Sequence, residues 1–339
     1  MEYLKRLLYL GYYIKTTDWK KYRKFVVFAS SDSGISLCRL VLDSFWSALR
    51  YNISLEEYFM YFFWQKKDSK EKTSWAGVGY MYAYHLLMTP KHTRETLKNK
   101  ALFLQHNADF ITRKWIHVEK NDFSRMYTFI AGMEGKVVIK KVDGNCGRAV
   151  EVYDTQSITT DRIVEIAKRK HYTLAEEYIT QHPELMRLSP AGLNTIRIVT
   201  QINKAGGVDV LAARIRITVH SFVDNLHAGN MAASIDIVSG KIMLPAIYSD
   251  ITRSDETVHP VTGVEIVGFQ IPRWEEALAQ TKAIALHNRE NRSVGWDIAI
   301  TEKGVDFVEG NHDWNQDIFQ MPVRKGLKKV LEQYVSEIY

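Results

Sequence analysis

The chain has 339 residues, 46% hydrophobic and 25% charged, which is enough to build two or three domains and too apolar for a disordered chain. Basic residues exceed acidic ones by six, yet residues 1–24 alone carry seven basic side chains against Glu2 and Asp18, so the remainder is close to neutral and a poor footprint for nucleic acid. Two cysteines, Cys38 and Cys146, exclude a disulfide framework or zinc ribbon. No apolar run reaches the ~20 residues of a spanning helix, and the expectation is a soluble cytoplasmic protein.

Leu4, Leu7, Leu8, Gly11 and Ile14 recur at helical spacing among lysines and arginines, which predicts a basic N-terminal helix. Leu37, Leu40, Val41, Phe45, Ala48 and Leu49 predict another, ended by Asn52. Ser54 and Glu57 form a capping box that opens a helix through Tyr58, Phe59, Phe62 and Phe63, an aromatic run suited to a helix–helix core. Thr89 and Pro90 mark a break, and a short helix follows through Leu97, Lys100, Ala101 and Leu104. From Lys136 the texture changes to alternating strands and helices. Strands are expected over 137–141, 149–153 and 173–179, with a helix capped by Thr160 or Asp161 running through Ile163, Val164 and Ala167. Further strands are expected over 195–202, 208–219 and 232–238. Pro272 opens a helix, 296–301 and 305–309 form a hairpin, and Pro322 opens a terminal helix through Leu327, Val330 and Tyr334. The fold class is mixed α/β with a helical N-terminal domain.

The hairpin carries the most chemistry. Its three-residue loop, 302–304, ends in Gly304 and suits a turn with a left-handed last residue. That register places Thr301 opposite Val305 and Asp297 opposite Glu309, with Asn311 two residues on and therefore on the same face. Trp296, Ile298, Ile300 and Val308 are expected on the buried face. Opposed side chains have β-carbons about 5 Å apart, so two carboxylates placed there repel unless a proton or cation lies between them. With the neutral oxygen of Asn311, a few oxygen-only donors suit Mg²⁺ that keeps positions for phosphates and water. The bland alternative is an acidic, solvated face.

Lys140 ends a strand and leads into a turn holding Gly144 and Gly147, a pattern that lets backbone approach a polyanion, or an ordinary hairpin turn with a surface lysine. As a strand-end residue Lys140 is expected to add little packing. Glu176, Glu177, Tyr178 and Ile179 end another strand, where a purine finds backbone groups and a carboxylate, or where glutamates are simply solvated. Arg197, Arg214 and Arg216 lie on strands. Alternation puts Arg197 on the face away from Ile196 and Ile198, and we favour a polar cleft for Arg197 and Arg214.

In order, these pieces resemble the ATP-grasp superfamily: Lys100, then Lys140 with Gly144 and Gly147, then 176–179, then Asp297, Glu309 and Asn311. The sugar-transfer-associated ATP-grasp group is the most similar branch, through Asn194 to Thr200, Asp224, Asn225, His227 and Gly229, and the helical N-terminus; glutathione-synthetase-like ligases are similar more distantly. The resemblance covers about residues 34–320 and implies two α+β subdomains behind a helical domain: 1–92 helical, 93–175 a small lid, 176–339 the large subdomain with the metal site. It implies ATP bound by Lys100, Lys140, Gly144, Gly147 and 176–179, Mg²⁺ on Asp297, Glu309 and Asn311, and a substrate loop with Asp224, Asn225, His227 and Gly229. The implied activity is ATP-dependent ligation of a carboxylate to an amine through an acyl phosphate, on a sugar acid or amino acid in glycan biosynthesis, with Arg197 or Arg214 stabilising the oxyanion. Similar folds also suit a kinase acting on a hydroxyl, or a non-catalytic scaffold at a membrane surface. Two departures stand out: residues 1–90 do not resemble the usual first domain, and Gly295 stands where D-alanine–D-alanine ligases place an arginine. The N-terminal basic helix suits either an anionic membrane surface or a helix packed on its own domain with its basic face in water.

Overall fold

The computed structural model describes residues 2–120, 122–143, 149–220 and 229–338. Among them ten strands pair into two antiparallel sheets. The smaller holds Trp115–His117 (β1), Lys136–Lys140 (β2), Val150–Asp154 (β3) and Leu174–Glu177 (β4) in the order β1-β4-β2-β3. The larger holds Ile196–Ile202 (β5), Val208–Ile217 (β6), Met231–Ile235 (β7), Ile247–Tyr248 (β8), Ser293–Ile300 (β9) and Val305–Asn311 (β10) in the order β10-β9-β5-β6-β7-β8.

The small sheet lays Val137, Ile139 and Ala175 against Met126 and Ile130 of the Ser124–Ala131 helix and Ile163, Val164 and Ala167 of the Thr160–Lys170 helix. Thr159, one residue before the expected caps, accepts from the Arg162 amide at the start of that second helix. One face of the large sheet, with Ile196, Ile198, Ile298, Ile300 and Phe307, packs on Trp274, Ala277 and Ile284 of the Trp274–His287 helix. Leu97, Phe103 and Leu104 join the same core, so the helices Lys91–Lys98 and Lys100–His106, inside the segment expected as lid, pack on the large sheet. On the opposite face Val199 and Ala212 meet Tyr84, Met88, Trp314 and Phe319. Pro322 opens a 3-10 turn, Met321–Val323, that ends at Arg324 in a left-handed conformation; the terminal helix begins only at Lys328.

Four helices lead the chain: Glu2–Thr16 (α1), Trp19–Ser33 (α2), Leu37–Tyr51 (α3) and Leu55–Met60 (α4). Asn52 ends α3 with φ 55°, and both halves of the Ser54–Glu57 capping box form. Tyr58, Phe59, Tyr61 and Phe63 are all buried, with Tyr58 edge-on to Phe59 at 4.9 Å. The helix nevertheless stops at Met60, because the chain turns at Phe62 with φ 54°. Among the described side chains of α1, Tyr13 is buried, and Leu7 and Leu8 face outward.

Glu57 fastens this helical layer to the segment that follows β10. Its carboxyl accepts from the Val78 amide at 3.0 Å and from Gln316 Nε2 at 2.7 Å. The single hydroxyl proton of Tyr61 faces two carboxyls, 2.9 Å from Glu57 Oε1 and 2.9 Å from Asp317 Oδ1. Burial, and then the charge of Asp317, pushes the Glu57 carboxyl up to about 7. Because the folded state holds a proton that the unfolded chain releases near pH 4.5, stability from Glu57 is full below that value and is lost as pH rises through about 7. Replacing Glu57 by Gln keeps the shape of the protonated acid and removes the titration. The stability of the native chain minus that of Glu57→Gln, from denaturant melts, should therefore fall by on the order of 2–3 kcal/mol between pH 5 and 8. A difference that stays level across that range would show that Glu57 is ionised throughout.

Candidate active site

A single row of side chains crosses the large sheet. β5 pairs with β9 so that Arg197 lies opposite Asp297, and β10 pairs with β9 so that Glu309 lies on the other side of Asp297. Arg214 continues the row on β6, opposite Arg197. Directly paired residues share a face, and this face is the one turned away from Ile196 and Ile198.

The hairpin reaches that pairing by a route its loop does not predict. Ile300, not Thr301, lies opposite Val305, and Ile298 lies opposite Phe307. A bulge at Val308 then shifts the register so that Glu309 meets Asp297 and Asn311 meets Gly295. Phe307 therefore takes the buried place expected for Val308, edge-on to Trp296 at 6.1 Å.

Asp297 is 2% exposed, and Arg197 grips it with Nε at 2.5 Å and Nη2 at 2.8 Å. Arg216, two residues beyond Arg214 on the same face, brings Nη2 to 3.1 Å from both carboxylate oxygens. Asn311 Nδ2 donates to Glu309 Oε1 at 3.2 Å and lies 3.5 Å from Asp297 Oδ2. Burial pushes the Asp297 carboxyl upward, but Arg197 and Arg216 more than reverse this and hold it well below the usual carboxylate range. Glu309 moves the other way, raised by burial and then by the Asp297 charge. The two acids thus become a fixed anion and a carboxyl that calls for a proton or a cation.

Arg214 does not join them. It leans away, donating from Nε to the Ile318 carbonyl at 3.2 Å and from Nη2 to the Phe319 carbonyl at 2.7 Å, so it supports the Gln316–Gln320 helix. Burial lowers its guanidinium to about 10. Of the two arginines on this strand it is Arg216, and not the oxyanion candidate Arg214, that reaches Asp297.

A second ionic cluster sits where the two sheets meet. Glu176 receives Lys140 Nζ at 2.8 Å and Arg113 Nε at 3.1 Å. Arg113 also pairs through Nη1 with Asp306 of β10 and donates to the Phe307 carbonyl at 3.0 Å. Thr112 Oγ1 and the Arg113 amide complete the shell of Asp306 at 2.8 and 2.9 Å. Burial would raise Glu176, yet the two cations hold it down to about 2. Lys140 is buried within this cluster, so it contributes more to packing than a strand-end lysine should, and burial lowers its pKa. The carboxylate of Glu176 is likewise engaged by Lys140 and Arg113 rather than open to a nucleoside.

The Lys100 amide donates to the Val142 carbonyl at 3.0 Å, which sets Lys100 beside the exit of β2, where its charge acts on Lys140. Glu177 pairs with Lys114 through its own amide at 2.8 Å and its Oε2 at 3.0 Å. Tyr178 lies under the Lys136 ammonium at 5.4 Å, Ile179 is half-buried, and the His182 amide bonds to Ile300, so 177–182 carries the chain from one sheet to the other. Gly144 and Gly147, and Asp224, Asn225 and His227, lie outside the described residues. Gly229 is described, in a left-handed conformation before Asn230, whose side chain accepts from the Val219 amide at 3.0 Å.

The sequence profile described as Sugar-transfer associated ATP-grasp matches residues 82–335, both sheets included. The chain belongs to that family. It is thereby an ATP-grasp protein. Among solved structures, the ATP-grasp ligase PsnB complexed with minimal precursor is 14% identical, with a TM-score of 0.43 over 74% of this chain and 64% of that one. D-alanyl-alanine synthetase A from Vibrio cholerae is 12% identical, at 0.44 over 73% and 67%. The ADP complex of purK, N5-carboxyaminoimidazole ribonucleotide synthetase, is 10% identical, at 0.41 over 66% and 46%. The chain thus spans less than two thirds of the PsnB chain and under half of purK. No curated protein matches it.

Within the ATP-grasp fold the donor set at the hairpin fits a hard divalent cation. No group of three His, Cys, Asp or Glu side chains gathers among the described residues, so such an ion would rest on Asp297, Glu309 and the Asn311 amide. The raised carboxyl of Glu309 facing a fixed anion is the strain that a cation relieves.

Gly295 also gains a reason. A Cβ there would meet Trp314 Cβ at 2.6 Å and Arg197 Cδ at 3.0 Å. The space over Gly295 is filled by Trp314 and by Arg197 arriving from the neighbouring strand. Gly295→Ala should cost about 1–3 kcal/mol in denaturant melts by pushing Trp314 and Arg197 apart. Stability equal to the native chain would mean that Arg197 is not held against that backbone.

Proposed function

We propose that the chain is an ATP-dependent carboxylate–amine ligase that joins a sugar acid or amino acid to an amine in glycan biosynthesis. The observation that carries this reading is the row of Glu309, Asp297 and Arg197, with Arg216 reaching in, beside the lysine-bearing crossing between the sheets. The family's association with sugar transfer supports the substrate class. An exposed free thiol at Cys38 suits a reducing, cytoplasmic setting.

In the first step an oxygen of the substrate carboxylate attacks the γ-phosphorus of ATP in line, the bond to the β-phosphate oxygen breaks, and ADP leaves. In the second the amine nitrogen attacks the acyl carbon, phosphate departs, and the nitrogen gives up a proton as the amide forms. Lys100 and Lys140 place positive charge where the sheets meet, for the phosphates. Gly144 and Gly147 would serve the phosphates through backbone amides, and 177–179 would receive the nucleoside. Asp224, Asn225, His227 and Gly229 meet the substrate. Arg197 and Arg216, anchored through Asp297, present guanidinium charge to the tetrahedral oxyanion. Mg²⁺ held by Asp297, Glu309 and Asn311 would supply neutralisation and alignment of phosphate oxygens. With both carboxyls ionised, the two guanidiniums cancel them, so a divalent cation is accommodated best together with a polyanion such as a nucleoside triphosphate.

An ADP-release screen of amino acids against uronic acids with Mg·ATP should yield ADP and phosphate only when acid and amine are both present. A phosphorylated acceptor that persists would make the enzyme a kinase, and a melting temperature unmoved by Mg·ATP would leave a scaffold. Glu309→Gln, a near-isostere, should lower turnover at least about 100-fold with the fold intact. Lys140→Met should weaken ATP binding about tenfold and also lower stability, because Glu176 keeps only Arg113. ATP affinity unchanged in that variant would place the phosphates elsewhere.

A further inference from the structure

We propose that the outward face of α1, α2 and α3 is a docking surface for an anionic lipid bilayer. These helices precede the stretch matched by the ATP-grasp family, so the proposal stands apart from the ligase reading.

Large apolar side chains stand in water there. Leu8 and Leu42 are 70% exposed and Trp46 is 61% exposed, with Leu7, Tyr12 and Trp19 also well exposed. Leu8 and Tyr12 on α1, and Leu42 and Trp46 on α3, are four residues apart, so each helix carries a short apolar ridge. The two helices adjoin, since Arg6 Nη1 of α1 donates to the Leu49 carbonyl at the end of α3 at 3.0 Å. Aromatic residues at such ridges suit the boundary between headgroups and acyl chains.

The charge around the ridges decides the occupant. Lys5, Lys15, Lys20, Arg23, Arg39 and Arg50 are exposed on these helices. Nearly all of the protein's positive excess lies in residues 1–24. Lys21 and Lys24 are paired with Glu56 and Asp250, at 2.8 and 2.5 Å. A second copy of the chain would bring the same positive face against itself, whereas a bilayer rich in anionic lipid offers the opposite charge and an apolar interior within reach.

The geometry is that of helices lying on a membrane rather than crossing it. No single described helix is long and apolar enough to span, and α2 and α3 meet that test only as a pair bent by 116°. Their inner faces, with Tyr22, Phe25, Val26, Ala29, Leu40 and Ala48, are buried in the protein's own core. Only the outward ridges are available to lipid.

The test is co-sedimentation of the full chain with vesicles of phosphatidylglycerol and phosphatidylcholine, and with phosphatidylcholine alone, at low and high salt. Binding to the anionic vesicles should exceed binding to neutral ones at least about tenfold and fall as salt rises. The double variant Leu42→Glu, Trp46→Glu, altered only at exposed positions, should lose about tenfold in vesicle binding while the Mg·ATP-dependent melting shift is unchanged. Equal binding to both vesicle types, or equal binding of native chain and variant, would overturn the proposal. So would a dimer seen by light scattering without lipid that the double variant abolishes.

Discussion

A carboxylate buried as deeply as Asp297 survives as an anion only because Arg197 and Arg216 hold it from two strands. That requirement constrains much else. β5 must pair with β9 in the register that sets Arg197 against Asp297, and β6 must pair with β5 so that Arg216 follows on the same face. Trp314 and Arg197 must share the space over a residue without a side chain. Given that fixed anion, Glu309 on the far side cannot ionise freely, and the site becomes receptive to a cation.

The β9–β10 hairpin is where the two ionic clusters meet. Asp306 lies before the bulge and Glu309 just after it, so one strand carries the anchor for Arg113 and the partner of Asp297. Arg113 reaches Glu176 in turn, and Glu176 holds Lys140 at the end of β2. The small sheet is therefore tied to the hairpin by buried charge. Displacement of one sheet relative to the other strains the contacts around Lys140 directly.

Much of this was legible in the residues. The Ser54–Glu57 box, the end of α3 at Asn52 and the aromatic core rest on local rules, and local rules are what a sequence displays. The pairing of Asp297 with Glu309 was legible too, although the loop register behind it was off by one and the bulge at Val308 supplied the difference. Alternation put Arg214 and Arg216 on one face but carried no information about which would lean towards Asp297 and which towards the Gln316–Gln320 helix. The Arg113–Asp306 tie joins residues 193 apart, and its only signal was an acid set between the apolar Val305 and Phe307. Leu7 and Leu8 show a related limit: helical spacing shows that a helix has a ridge, and only packing decides which ridge faces inward.

The bulge gives the twelve-residue separation of Asp297 and Glu309 a particular meaning. A regular hairpin with this turn would bring Asp297 against the residue before Glu309, so the count records one inserted residue as well as a loop. A related chain whose two acids stand eleven positions apart, with ten residues between them, could place them face to face without any bulge. Motif spacing in such hairpins is therefore a reading of strand geometry, and two chains can share the chemistry while differing by one in the count.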